Sequence, residues 1–419
     1  MKQLLLLTII LLIVLTACGP QEMPVAEAGT LIVDPDIDLG PISPLLYGSN
    51  YGPWTTVPAG MLEQAYESKI TNLRWPGGEW GDSHTIKAYH IDQFMDLVKQ
   101  MDAIPTISVR LLDGTPEAAA ELVRYCNLEK GYAVKYWSIG NEPTLYEGRS
   151  GVDSYDTERY NKEWRAIAEA MKAVDPDILL MGPELHGTYT SNFATNPKDS
   201  AGRDWMVEFL EANGDMVDIV TYHRYPFPAT MASGSASIAD LRQDLPEWTR
   251  TVHYLRELIQ GKTGRDIPIG VTETNSHWTH ATGGEATPDS HYNAIWWADA
   301  LGRMINEDVL IANNFVLAAA GDSAGFGLIS RSDLRPTYYV YQLYGRFGDQ
   351  QIFADSGVAG LNIYAATNDE NQLTLIVINT EDEALEATLD VDGIKRAEAE
   401  RWLLDPTHSA ENLGVQTLA

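Results

Sequence analysis

The chain has 419 residues, with 29 Lys or Arg against 59 Asp or Glu, for a formal net charge of −30. So negative a surface repels nucleic acid and anionic lipid headgroups, which excludes both as partners and leaves neutral ligands. A 44% hydrophobic share argues against disorder, and the length admits one large barrel plus a small domain.

Lys2 precedes a strongly apolar run from Leu4 to Leu15, then Thr16-Ala17-Cys18-Gly19. A charged start, a short apolar stretch and small residues before the cut predict a secretory signal over 1–17, and the run is too short for an ordinary membrane span. Leu15-Thr16-Ala17-Cys18 resembles a bacterial lipobox. That resemblance implies lipid attachment at Cys18 and residence at a bacterial cell surface or in the periplasm, the lipid being the only tie to a membrane. Residues 18–29, with Pro20 and Pro24, read as a tether. Cys126 is then the one remaining cysteine, so no internal disulfide is expected and Cys126 reads as a packing residue.

A strand signal at Leu31-Ile32-Val33 lies in the segment 30–44, which is expected to join a β domain further on. Eight apolar runs follow between 45 and 348: Leu45 to Asn50, Ile70 to Trp75, Pro105 to Arg110, Val134 to Ile139, Ile178 to Gly182, Val217 to Tyr222, Ile267 to Val271 and Val309 to Leu317. Helical stretches separate them, such as the one opened by Thr115-Pro116-Glu117 and those over Tyr160 to Val174, Asp204 to Ala212, Ile238 to Ile259 and Tyr292 to Glu307. This alternation predicts an α/β chain whose 45–348 segment is a (β/α)8 TIM barrel. From 349 to 419 the helical period vanishes, and Leu361 to Ala366, Leu373 to Asn379 and Ala384 to Val391 predict a small antiparallel β-sandwich.

Polar and aromatic residues stand where the barrel strands stop. The second strand ends in Arg74-Trp75-Pro76-Gly77-Gly78-Glu79-Trp80, the fourth in Asn141-Glu142-Pro143, the sixth in His223-Arg224-Tyr225 and the seventh in Thr272-Glu273-Thr274. In a closed parallel barrel these ends open onto one face, where active sites form. Two carboxylates delivered there from different strands suit glycoside hydrolysis, one protonating the leaving oxygen and the other acting as nucleophile or base. Taken singly, each glutamate also reads as a carboxylate capping the next helix. Arg74 is a candidate hydrogen-bond partner for Glu273, with His223 or Tyr225 as candidates to orient the same carboxylate. Trp54, Trp75, Trp80 and Trp278 fall at strand ends, where flat sugar faces stack on aromatic rings or the rings simply pack loops. Glu79 is a rival carboxylate, and Glu184 in Gly182-Pro183-Glu184 is a weaker substrate-binding candidate. No metal-ligand cluster or phosphate-cradling loop stands out, so neither metal nor cofactor is expected.

Trp137-Ser138-Ile139-Gly140-Asn141-Glu142-Pro143 resembles the fourth-strand motif of clan A retaining glycoside hydrolases. The resemblance implies that Glu142 is the acid/base, Glu273 the nucleophile and Asn141 a partner of the sugar 2-hydroxyl. Arg74-Trp75-Pro76-Gly77-Gly78 and the segment Gly114 to Asn127 are most similar to glycoside hydrolase family 51, the α-L-arabinofuranosidases. Thr272-Glu273-Thr274 is more like families 39, 30 and 79, and His223-Arg224-Tyr225-Pro226 resembles family 44. Many clan members end the eighth strand with Trp, where this chain has Phe315. The expectation is a surface-anchored retaining hydrolase of plant-type polysaccharide, arabinofuranosidase first and endo-β-glucanase or xylanase second. A non-catalytic carbohydrate-binding lipoprotein is the rival from another class.

Overall fold

The computed structural model describes residues 23–149, 151–187, 196–228, 234–319 and 325–418. The signal segment and Cys18 lie outside the described residues. Fifteen strands are described: β1 (Thr30–Pro41), β2 (Gly48–Asn50), β3 (Asn72–Trp75), β4 (Ile104–Val109), β5 (Tyr136–Ile139), β6 (Leu179–Leu185), β7 (Ile219–Arg224), β8 (Ile269–Thr274), β9 (Ile311–Asn314), β10 (Gln350–Ser356), β11 (Leu361–Thr367), β12 (Leu373–Asn379), β13 (Thr388–Val391), β14 (Ala397–Asp405) and β15 (His408–Leu418).

Strands β2 to β9 form a closed parallel barrel in chain order, and β9 pairs back onto β2. Helices between them bury apolar faces against its outer wall, among them Thr157–Val174, Ile238–Thr263 and His291–Asn306. Their starts follow local chemistry. The side chains of Thr115, Asp156, Asp204, Ser237 and Ser290 each accept a backbone N–H of the first turn. Trp296 and Trp297 are fully buried in the main core, as is Cys126.

The barrel interior is layered. Leu45, Met181, Ile219 and Ile311 form an apolar floor, whereas Asn50, Arg74, Glu184, His223 and Glu273 are buried near the carboxyl ends of the strands. Alternation along a strand sends successive side chains to opposite faces. Met181 faces inward, so strict alternation would send Glu184 outward to the helices. The β6–β7 register instead jumps between Pro183 and Leu185, leaving Glu184 as an extra residue with φ of 57°. A second jump lies between Tyr222 and His223, which face Val271 and Glu273 across β7–β8 and leave Thr272 unpaired. Such bulges re-aim side chains. Here they let Thr272 and Glu273, neighbours in sequence, both serve the interior.

The remaining strands build a five-stranded sheet in the order β12-β11-β10-β1-β13 and a separate β14–β15 ribbon. All pairings are antiparallel except that of β1 with β13. The sheet packs on helix His291–Asn306, where Tyr364 donates its hydroxyl to Asp299 Oδ1 at 2.7 Å and its ring lies over Gly302. Arg242 and Tyr292 both donate to the Thr380 carbonyl. Among the described residues, no helix is long and apolar enough to cross a membrane.

Candidate active site

Arg74, at the carboxyl end of β3, organises the barrel mouth. Its side chain is 1% exposed. Nη1 donates to Asn50 Oδ1 at 2.8 Å and Glu273 Oε2 at 3.1 Å. Nη2 donates to Asn141 Oδ1 at 2.9 Å and Glu184 Oε2 at 2.8 Å. Burial works against its charge, but Glu184 and Glu273 outweigh that and hold it protonated.

Glu273 is also gripped from β7, for the Tyr225 hydroxyl donates to its Oε1 at 2.7 Å. Burial first, and Glu273 second, push the Tyr225 hydroxyl well above its ordinary range, so it stays a donor. Glu142 follows β5 in a left-handed conformation, φ 47° and ψ 55°. Its N–H donates to the Glu184 carbonyl at 2.9 Å, and its Oε1 lies 3.2 Å from His223 Nδ1. Positive φ on a non-glycine residue is uncommon and clusters at functional sites. Gly140, two residues earlier, has φ of 81°, and a Cβ there would sit 2.7 Å from Leu111 Cβ, so the turn into Asn141-Glu142 needs glycine.

Glu184 is fully buried. Besides Arg74, it accepts from Thr221 Oγ1 at 2.9 Å and Thr272 Oγ1 at 3.1 Å, and lies 3.1 Å from His223 Nε2. Burial alone would raise its carboxyl. The Arg74 charge, then His223 and Thr221, overcome this and bring it down to about 2. For His223, burial opposes protonation, but Glu273, Glu142 and Glu184 raise it to about 9. Asp82 braces the turn that carries Asn141 and Glu142. It accepts from Leu111 N at 3.0 Å, Asn141 N at 2.8 Å and the Tyr146 hydroxyl at 2.6 Å, while burial pushes its carboxyl up to about 6.

The structure therefore brings Arg74, Asn141, Glu142, His223, Tyr225 and Glu273 together. One donor atom each from Glu142, His223 and Glu273 lie within 4.8 Å of one another. Such a trio has the spacing of cation ligands, and the Arg74 guanidinium already sets one positive charge against Glu273. Glu79 lines a small cavity beside Glu142 with Asp82, Ser83, Asn141, Leu145 and Tyr146.

Trp75 is corrected as a sugar-contact candidate. It alternates with inward-facing Arg74, points outward, is 1% exposed and stacks on Phe94. Trp80 is half-buried and stacks on His84 with centroids 4.6 Å apart. Trp278 is 41% exposed and donates its indole N–H to the Pro228 carbonyl. Trp54 stacks on Phe315, which also meets Tyr225 and Phe326 edge-on. This aromatic wall reaches the nucleophile candidate, since a Cβ on Gly78 would lie 3.7 Å from the Phe315 ring and 3.9 Å from Glu273 Oε2. Sequence reasoning undervalued Glu184 and missed Asn50, Asp82, Thr221 and Thr272. The one sequence signal for Glu184 was its place just past the fifth apolar run.

A model of glycosyl hydrolases family 39 matches residues 121–392, a span that contains both Glu142 and Glu273. An intracellular exo-alpha-(1->5)-L-arabinofuranosidase of Halalkalibacterium halodurans is 23% identical over 312 residues, covering 60% of this chain and 59% of the relative. A beta-xylosidase of Geobacillus stearothermophilus is 22% identical over 245 residues, covering 53% of this chain and 44% of the relative. The chain thus spans about half the length of the curated relatives it matches. An alpha-L-arabinofuranosidase from Thermotoga maritima, solved with arabinose, shares the fold at TM-score 0.71 and 19% identity, covering 93% of this chain and 94% of that one. A bifunctional glucanase-xylanase from a metagenome library also gives 0.71, at 15% identity over 94% and 96% of the two chains.

Proposed function

The chain belongs to glycosyl hydrolases family 39, and we propose that it is a retaining enzyme releasing α-L-arabinofuranosyl groups from plant-type polysaccharide or oligosaccharide. The carrying observation is that one carboxylate oxygen of Glu142 and one of Glu273 approach within 4.8 Å of each other and of a His223 ring nitrogen. Retaining pairs stand about 5–5.5 Å apart and inverting pairs about 6.5–9.5 Å, because inversion must fit a water between carboxylate and sugar. In this reading Glu142 protonates the leaving oxygen while Glu273 attacks the anomeric carbon. Glu142 then takes a proton from water, which attacks that carbon and frees Glu273. Arg74 and Tyr225 suit the second step, since both donate to the carboxylate that must leave. With its Oδ1 held by Arg74, Asn141 offers the sugar 2-hydroxyl its Nδ2 donor. The Trp54–Phe315–Phe326 wall presents an apolar face to the ring, with Trp278 as an outer contact.

The arabinofuranosyl preference is supported by the Halalkalibacterium relative and the family 51-like second-strand motif. Xylan-directed action is the second reading, favoured by the Geobacillus match. The test is a screen of the chain from Gln21 on aryl α-L-arabinofuranoside, aryl β-xyloside, aryl β-glucoside, arabinan, xylan and β-glucan, with the first-formed anomer read by proton NMR. Release of arabinose with the substrate's own anomeric configuration is expected. First release of the opposite anomer sinks the retaining assignment, and turnover of β-xyloside alone moves the substrate to the second reading.

We further propose export and lipid anchoring at Cys18, supported by the Lys2 to Cys18 pattern. In a bacterial host, Cys18→Ala should move the protein from the membrane to the soluble fraction. Equal partitioning of both forms rejects the anchor.

A further inference from the structure

The strongest feature that this mechanism leaves unused is Glu184. It is fully buried, so it does not touch the substrate, yet it holds Glu142 by two routes. Its carbonyl accepts the Glu142 N–H at 2.9 Å, and its carboxylate lies 3.1 Å from His223 Nε2, whose Nδ1 is 3.2 Å from Glu142 Oε1. We propose that Glu184 is a positioning residue that sets the proton exchange of Glu142 through His223, and this rests on Glu142 being the acid/base.

The geometry dictates the direction of influence. Nε2 lies between Glu184 Oε2 and Arg74 Nη2, the latter at 3.4 Å. Arg74 only donates, so with Arg74 alone Nε2 would be the accepting nitrogen. The carboxylate reverses this by taking an N–H from Nε2. Nδ1 is then the nitrogen whose proton is shared with Glu142. Protonated, it donates to Oε1 and steadies the carboxylate left after the leaving group departs. Unprotonated, it accepts the carboxyl proton of Glu142. Second carboxylates that fix an imidazole tautomer act in this way. The other groups facing His223 are Arg74 on β3 and Glu273 on β8, the latter 3.9 Å from Nδ1, with Tyr225 two residues on. Arg74 opposes the imidazolium and Glu273 favours it, as do Glu142 and Glu184. Thr221 and Thr272 hold Glu184 in place.

The test separates this role from general destabilisation by leaving-group dependence. Full-length Glu184→Gln and Glu142→Gln are assayed on aryl α-L-arabinofuranosides with phenol or 2,4-dinitrophenol as the leaving group. A poor leaving group needs the acid in the first step, and a good one does not. Glu142→Gln should lose about 10²–10⁴-fold on the phenyl substrate and far less in the first step on the dinitrophenyl one. Glu184→Gln should show the same selectivity at about 10–100-fold, with Glu184→Asp recovering part of it. A uniform loss, or none, for Glu184→Gln beside a selective Glu142→Gln overturns the inference and leaves the acid/base reading intact. A Glu142→Gln enzyme without selectivity overturns the acid/base reading itself.

Thr272→Val loosens Glu184 without removing charge and should give a smaller selective loss. Imidazole ¹⁵N NMR of the substrate-free protein supplies an independent readout. Both His223 nitrogens should carry protons in the wild type through neutral pH, with the midpoint near 9 falling in Glu184→Gln. An unchanged midpoint overturns the inference even if Glu184→Gln is poorly active.

Discussion

β6 and β7 each carry one residue of the barrel floor and one of its mouth: Met181 and Ile219 below, Glu184 and His223 above. All four are at most 1% exposed, yet they are held by different physics. Floor side chains need only fill space, and their loss scales with the volume removed. Mouth side chains are buried polar groups whose desolvation must be met by partners, and removing one partner strands the rest. Floor substitutions should therefore be graded and silent in catalysis, while mouth substitutions should be steep and chemically specific.

The sharpest break is expected from Glu273→Gln, which replaces the attacking carboxylate with a weakly nucleophilic amide. Turnover of the best aryl substrate should fall by more than the ~10²–10⁴-fold of losing an acid/base group. Thermal unfolding should show the variant still folded, so a nucleophile role fails if activity survives at about a tenth of wild type, well short of the loss expected even for an acid/base group. Next comes Arg74→Met, which strands Glu184 and Glu273. Breaking a buried ion pair from one side costs about 3–5 kcal/mol, measurable by urea denaturation. A cost as small as Ile219→Val would erase the contrast. Ile219→Val should cost about 0.5–1.5 kcal/mol and leave kcat unchanged.

The mildest test is pH. His223 is raised from 6.5 to about 9, so its contribution to stability is full below 6.5 and is lost as pH climbs through 9. Glu184 is lowered from 4.5 to about 2, so its contribution is full above 4.5 and lost as pH falls through 2. Melting temperatures of wild type and Ile219→Val should run parallel across pH, whereas His223→Gln should lose the alkaline limb.

The same contrast explains what the sequence revealed. Eight apolar runs gave the barrel in the right order because each strand is buried on both faces. Strand ends were less legible, and unevenly so. The fifth, sixth and seventh runs stop at Gly182, Tyr222 and Val271, but the strands continue to Leu185, Arg224 and Thr274. Those extensions carry Glu184, His223, Thr272 and Glu273, polar residues that build the mouth. Their pairing comes from partners far along the chain, such as Arg74 for Glu184, so locally they read as turns. The bulges at Glu184 and Thr272 are a further blind spot, since alternation carries no mark of where it slips. Asn141-Glu142 and Glu273 were legible because short motifs surround them. Trp75 was misplaced because standing at the strand end suggested the mouth, whereas as a strand residue it alternates with inward-facing Arg74 and turns outward.

β1 has a consequence for how the chain is made. Its partner β10 begins more than 300 residues later, with Leu31 facing Ser356 and Pro41 facing Gln350. The nascent chain must extrude the entire barrel before that edge is covered. Until then Leu31 and Val33, which end up at 5% and 2% exposure, belong to an unmatched strand. The last domain therefore acts as a clasp that seals the first segment, and a fragment cut before residue 350 should be a sticky intermediate rather than a smaller enzyme.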